Sequence, residues 1–300
     1  MKPKSLSLLL VMFLITLFSW SQNPKAAKPG TAEDWKDTDA AMGRPGQDQP
    51  DGTHKYALPR GDMNVTVNGV QVKPGLALGS WVAFKHNGKM DVVMGDLVLA
   101  EDEVGPVMQE LESGGIEVTA LHNHVLGESP RVMYMHIHGM GTAASLGKAI
   151  HSAIAKTKTP EPKPPAQPGD LGIDTKQIDQ ILGHAGKNNG GIYQVSVPRA
   201  EHIMEGGMAI PNSMGVATAL NFQPTDGGKA AITGDFVLLG KEVNPVIKAL
   251  TSNGIAVTAV HSHMLDEQPR VFFMHFWAND DAVKLAQGLR AALDKTNSAK

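Results

Sequence analysis

The residues best suited to chemistry are His122-Asn-His124 and His261-Ser-His263, followed at equal distance by His136 and His275. In an extended strand, residues two apart point the same way, so each His-x-His pair shares a face. A third imidazole on a neighbouring strand completes three nitrogen donors. That set holds a catalytic zinc with one position open, and imidazole also suits copper. His138 follows His136 at the same two-residue spacing and is a fourth candidate in the first copy. Its counterpart is Trp277, so the shared minimum is three histidines per copy. A divalent transition metal, zinc or copper, is therefore the expected cofactor.

The set occurs twice because the chain repeats itself. Gly95-Asp96 recurs as Gly234-Asp235, and Glu128-Ser-Pro130-Arg131 as Glu267-Gln-Pro269-Arg270. The offset is a constant 139, from Gly95 to Gly234 and from His136 to His275. Upstream, Pro59-Arg60 matches Pro198-Arg199 at the same offset, while Phe84 matches Phe222 at 138, which marks a one-residue slip. A fixed-period repeat settles the domain layout before anything else.

The other repeated polar residues surround the histidines. His-x-His-x-x-x-Glu is the spacing of the first metal motif in cupins, but cupins are all-β and helices lie between the strands here. Glu128 and Glu267 are candidate general bases acting on a metal-bound water, or fourth ligands. They could equally be turn carboxylates paired with Arg131 and Arg270. Asp96 and Asp235 sit in apolar strands, where an unpaired charge is costly. They could orient a ligating histidine from behind or cap the next helix. Arg131 and Arg270 are grouped with them as residues bordering the cofactor or ligand. Arg60 and Arg199 suit structural salt bridges better than anion binding. His54, His86, His151, His184 and His202 are not repeated and are expected at the surface. Of the methionines, only Met264 and Met140 stand where a copper site could use them.

The elements that must hold these side chains follow from periodicity. Asp34–Met42 and Thr175–Leu182 suggest short opening helices. Ser80–Phe84 and Asp91–Leu99 are strand-like and joined by Asn87-Gly88, a good hairpin turn. Glu101–Ser113 and Glu242–Ser252 suit helices, closed by Gly114-Gly115 and Asn253-Gly254. Ile116–Val125 and Arg131–His138 alternate as strands. Thr142–Lys156 and Asp280–Leu293 are amphipathic helices. The expected class is α+β: two tandem homologous domains, each a mostly antiparallel sheet with helices packed on it. Both faces of the histidine-bearing strands are apolar. One face should meet the repeat's own helices and the other should meet the second repeat, as in a twofold dimer.

The rest of the chain bounds the setting. Lys2 and Lys4, an uncharged run from Leu6 to Trp20 and small residues at Ser19 and Ser21 predict a signal peptide over residues 1–21. A polar lead (22–33), a first repeat (34–157), a proline-rich linker (158–170) and a second repeat (171–297) follow. The expected location is outside the cytoplasm, periplasmic or extracellular, with no membrane span after cleavage. The chain has no cysteine, so lipoprotein anchoring, disulfides and thiolate metal sites are all closed. A net charge of −3 and no long basic run argue against nucleic acid as a partner. A small molecule or an envelope component is the expected partner. No nucleophile elbow, P-loop, dinucleotide fingerprint or His-Glu-x-x-His helix is present.

The motif string resembles one family. Pro-Arg is followed by Gly234-Asp-Phe-Val-Leu238, then Glu242–Val246 (Glu103–Val107 in the first copy), Gly-Ile-x-Val-Thr-Ala-x-His-x-His, a second Pro-Arg, and His-Phe-Trp. This is similar to the LppY/LpqO-like domain family of bacterial envelope proteins, once per repeat over most of residues 31–297. The second copy fits better, since His136-Ile-His138 replaces His-Phe-Trp in the first. The resemblance implies an extracytoplasmic setting and no known reaction. Three readings stay open: a metal-binding protein of the envelope, a metal-dependent hydrolase of an envelope polymer or phosphoester, and a binding module with a metal-free histidine network.

Overall fold

The structure is a computed structural model that describes residues 35–162 and 169–299. The expected signal peptide, the lead and the middle of the proline-rich linker lie outside the described residues.

Each repeat forms a six-stranded antiparallel sheet. In the first, the order is Gln47–Asp48, His54–Pro59, Gly79–Asn87, Met90–Ala100, Val132–Gly141 and Glu117–His122. The second repeats it as Lys187–Asn189, Ile192–Val197, Thr218–Pro224, Lys229–Leu239, Val271–Asp281 and Ala256–His261. Three helices cover one face of each sheet: Lys36–Met42, Val104–Ser113 and Ala143–Ile154, then Thr175–Leu182, Gly240–Ser252 and Ala282–Leu293. The fold is α+β, and the two sheets correspond to the two repeats.

Local chemistry sets the helix ends. Thr142, Asp174 and Asp281 each accept a backbone N–H three residues on, from Ser145, Gln177 and Lys284. Gly43 and Gly183 stop the opening helices at φ 68° and 75°, a conformation that glycine adopts without strain. Glu103 and Glu242 reach back to the Ala100 and Leu239 N–H groups at 2.9 and 2.7 Å. The same two carboxylates hold Arg60 and Arg199 in buried ion pairs, at 2.6 and 2.8 Å. These arginines are structural, and the helix capping considered for Asp96 and Asp235 falls to the glutamates.

The other face of each sheet is covered by the opposite repeat. Between Arg60 and Gly79 the first repeat sends out an arm that carries Val65, Val67, Val72, Leu76 and Leu78. These pack with Tyr134 of their own sheet and with Ile192, Ala231 and Trp277 of the other. The second repeat's arm returns the contact, with Ile203, Met208, Ile210, Met214 and Val216 set against Ala83, Val92 and Met94. Sequence alone gave no sign of these arms. Polar ties accompany them. Gln223 accepts from the Lys73 N–H (2.8 Å) and donates to the Gln71 carbonyl (2.7 Å), while Asp51 accepts from the Ser213 N–H (3.0 Å). A buried Tyr134, Phe273 or Leu76 contributes on the order of 1.5–3 kcal/mol by leaving water. The seam is therefore a shared core, and the two repeats are one folded body.

Candidate metal centre

The edge strands Glu117–His122 and Ala256–His261 meet at this seam. Each carries a register shift, between Val118 and Ala120 and between Val257 and Ala259. A bulge changes which way the following side chains point. Val118 accordingly packs on the helix-side core, whereas His122 turns to the seam. Strict alternation along the strand would put Val118 on the histidine face, and the bulge is what separates them. The strands also end at His122 and His261, earlier than expected, so His124 and His263 project from the following turns. Two hydrogen bonds lock these turns across the repeats. The Thr119 hydroxyl donates to the His263 carbonyl at 2.6 Å, and the Thr258 hydroxyl donates to that of His124.

The result is one cluster of six imidazoles rather than two separate ones. Rings from opposite repeats stack in pairs: His122 on His261 at 3.6 Å between centroids, His124 on His275 at 3.7 Å, and His136 on His263 at 3.6 Å. Exchanging the repeats maps the first pair onto itself and the other two onto each other, which is a pseudo-twofold axis through the His122–His261 pair. Tyr134 and Phe273 close the ends, stacked on His124 at 3.3 Å and on His263 at 3.5 Å.

All six Nε2 atoms are buried and have no hydrogen-bond partner. Their other nitrogens explain the orientation. Nδ1 of His275 faces the Gly234 carbonyl at 2.7 Å, and Nδ1 of His122 faces that of Asn123 at 3.2 Å. Only a protonated Nδ1 can donate to a carbonyl, so the lone pair is on Nε2 and aims into the cluster. The repeated Gly-Asp has a matching reason: a Cβ at Gly234 would strike the Ala219 carbonyl, so only glycine allows this approach. Donor atoms of His122, His124 and His136 lie within 4.8 Å of one another, as do those of His122, His261, His263 and His275.

Asp96 and Asp235 face these nitrogens. Asp96 is 3.8 Å from His124 Nε2 and 4.0 Å from His136 Nε2; Asp235 is 3.3 Å from His263 Nε2 and 3.8 Å from His275 Nδ1. Burial dominates their ionisation. It raises the Asp96 carboxyl to about 8, against the pull of Lys55, and raises Asp235 well above the ordinary carboxyl value, with help from Asp96. Burial likewise lowers His122 to about 4 and His261 to about 3, and drives the other four well below the ordinary histidine value. At neutral pH the cluster is six neutral imidazoles, the ligand form, beside two carboxyls.

The remaining candidates lie outside the converging set. His138 Nδ1 faces Glu117 at 3.3 Å. Glu128 pairs in register with Val67 of the arm. Glu267 is fully buried, accepting from the Val271 N–H at 3.0 Å and from Arg270 at 3.2 Å. Arg131 is exposed beside Glu101 at 3.7 Å, and Arg270 also donates to the Leu265 carbonyl at 3.0 Å. Met140 is exposed, but Met264 lines a small cavity with Met94, Met214, His136 and His263. His54, expected at the surface, is buried between Asp39 (3.0 Å) and Asp48 (2.7 Å) and stacked on Trp35. The one local signal for it was Tyr56, two residues on and so on the same face of the strand; the stack on Trp35 is a long-range contact.

The family described as Domain of Unknown Function (DUF1259) matches residues 36–156 and 176–295, one copy per repeat. No curated protein matches. Among solved structures, the crystal structure of a trimeric bacterial microcompartment shell protein PduB is similar at 13% identity, over 82% of this chain and 87% of that one. Its TM-score of 0.21 is too low to carry an argument.

Proposed function

The chain belongs to the family described as Domain of Unknown Function (DUF1259), and we propose that it binds a divalent transition metal, zinc or copper, in the histidine cluster. The observation that carries this reading is the set of six buried Nε2 atoms without hydrogen-bond partners. Buried polar atoms are nearly always satisfied, and leaving one unsatisfied costs about 1–3 kcal/mol. Six in one cluster are too costly to be accidental, and coordination to metal satisfies such atoms. A metal-free histidine network would need ring-to-ring or ring-to-carboxylate hydrogen bonds, and these Nε2 atoms make none.

The role supported best is metal handling, or metal-dependent binding of a small molecule or envelope component, in an exported protein. The N-terminal sequence and the LppY/LpqO-like motif string support that setting. No helix among the described residues is long and apolar enough to cross a membrane. The hydrolase reading has less support, because the base it expects in the second copy is engaged: both oxygens of Glu267 accept hydrogen bonds, from Val271 and Arg270.

Elemental analysis and titration calorimetry on untagged protein test the proposal. Bound zinc or copper, or affinity of micromolar or better, is expected. Protein that carries neither metal and takes up neither at micromolar concentration overturns it.

A further inference from the structure

We infer that the cluster is a paired centre for two metal ions, one per repeat, held side by side across the seam. This deepens the metal-binding reading and rests on it. The donor atoms do not form a single set. They fall into two, one built on His122, His124 and His136 and the other on His261, His263 and His275, with His122 close to both. Nitrogens bound to one zinc at about 2.0–2.1 Å lie no more than about 4.2 Å apart, and such an ion takes four donors. Six imidazoles and two carboxylates exceed what one ion accepts.

The carboxylates divide the same way. Asp96 faces only first-repeat nitrogens, and Asp235 only second-repeat nitrogens. Each half thus offers three nitrogens and one oxygen, the complement of a four-coordinate site. The pseudo-twofold adds an independent argument. The axis runs through the His122–His261 pair, and an ion facing one triad and its aspartate lies off that axis. Its symmetry mate is then a second site of the same composition.

Two dications repel one another, and the burial of charge is costly unless it is compensated. One carboxylate per ion supplies that compensation, and two-metal sites typically place their ions about 3.5–4 Å apart. The seam holds the halves at such range, since His122 and His261 are in stacking contact and the two threonine hydrogen bonds cross beside them.

The test is copper(II) loading of the full-length mature protein, read by native mass spectrometry and electron paramagnetic resonance. Two ions per chain are expected, with a spin-coupled spectrum: a half-field transition, or loss of the isolated-copper signal. His136→Ala and His275→Ala should each leave one ion per chain and restore an isolated-copper signal. One ion per wild-type chain overturns the pairing while leaving the metal-binding reading intact. Two ions with magnetically isolated spectra overturn it as well. No bound ion removes both. The wild-type stoichiometry and spectrum decide the matter even if a variant fails to fold.

Discussion

The two triads share their spacing to the residue, but their surroundings differ. His263 and His275 are buried, and Phe273 caps their end. A hydrogen bond from Arg270 to the buried Glu267 braces the turn that carries His263. In the first repeat His124 is half-buried, Tyr134 replaces Phe273 and donates its hydroxyl to the Ala77 carbonyl at 2.7 Å, and the matching turn is braced by pairing with the arm. Lys55 stands where the second repeat has Gln194. Burial lowers that lysine to about 8, against the influence of Asp51 and Asp96. Trp277 fills the apolar seam, whereas His138 at the same position faces Glu117. Duplication has kept the imidazoles and the aspartates and let their supports diverge. The second triad, with His122 as an additional neighbour and Gln194 in place of Lys55, should hold its ion more tightly.

The largest effect should come from removing a ligand on the tight side. His275→Ala should weaken the first binding step by more than the roughly 10–100-fold that loss of an outer hydrogen-bond partner costs. His136→Ala should weaken mainly the second step. Titration calorimetry separates the two steps, and equal effects would erase the proposed ranking.

Metal should also stabilise the seam. At a free concentration of 100 times Kd, one ion adds about 2.7 kcal/mol. For a body of this size that is roughly a 5–10 °C rise in Tm, reversed by a chelator. A Tm unmoved by zinc or copper would place any binding outside the folded core.

The metal-free protein should lose stability as pH falls. The six histidines have folded-state values below the ordinary 6.5, with His122 at about 4 and His261 at about 3. The unfolded chain therefore binds more protons than the native one below about 6.5, and stability drops as pH falls from there towards 4. Asp96 and Asp235, raised by burial, act in the opposite sense, and their contribution fades as pH rises from the ordinary carboxyl range towards the raised values, about 8 for Asp96. Six imidazoles outweigh two carboxyls between pH 6.5 and 4. Thermal unfolding in chelator should show Tm falling over that range, and a flat or rising Tm would contradict the burial of neutral rings.

The smallest effect concerns the lysine. Lys55→Gln makes the first repeat resemble the second and should tighten its ion by less than about tenfold, under about 1.4 kcal/mol. Weaker binding in calorimetry would mean that Lys55 supports the site instead of opposing it.

Much of this was legible in the sequence. The repeat, the α+β class and the order of strands and helices follow from periodicity and turn residues, because those signals are local. The six histidines and the two aspartates stood out because both copies keep them. Their merger into one cluster was visible only indirectly, in strands apolar on both faces. What sequence missed depends on long-range pairing: the arms at 60–79 and 199–218, whose short strands have no pattern of their own, and the bulges at Val118 and Val257 that set where the histidines point. Glu267 reads as a base by spacing, yet its partners Arg270 and Val271 assign it to the turn, and the spacing is the same for either role.

The most direct measurement is an anomalous difference map from crystals of zinc-loaded protein, collected at the zinc edge. Density is expected among the Nε2 atoms of His122, His124, His136, His261, His263 and His275, with Asp96 and Asp235 beside it. A map empty at that position, with those nitrogens hydrogen-bonded to water or to one another, would contradict it.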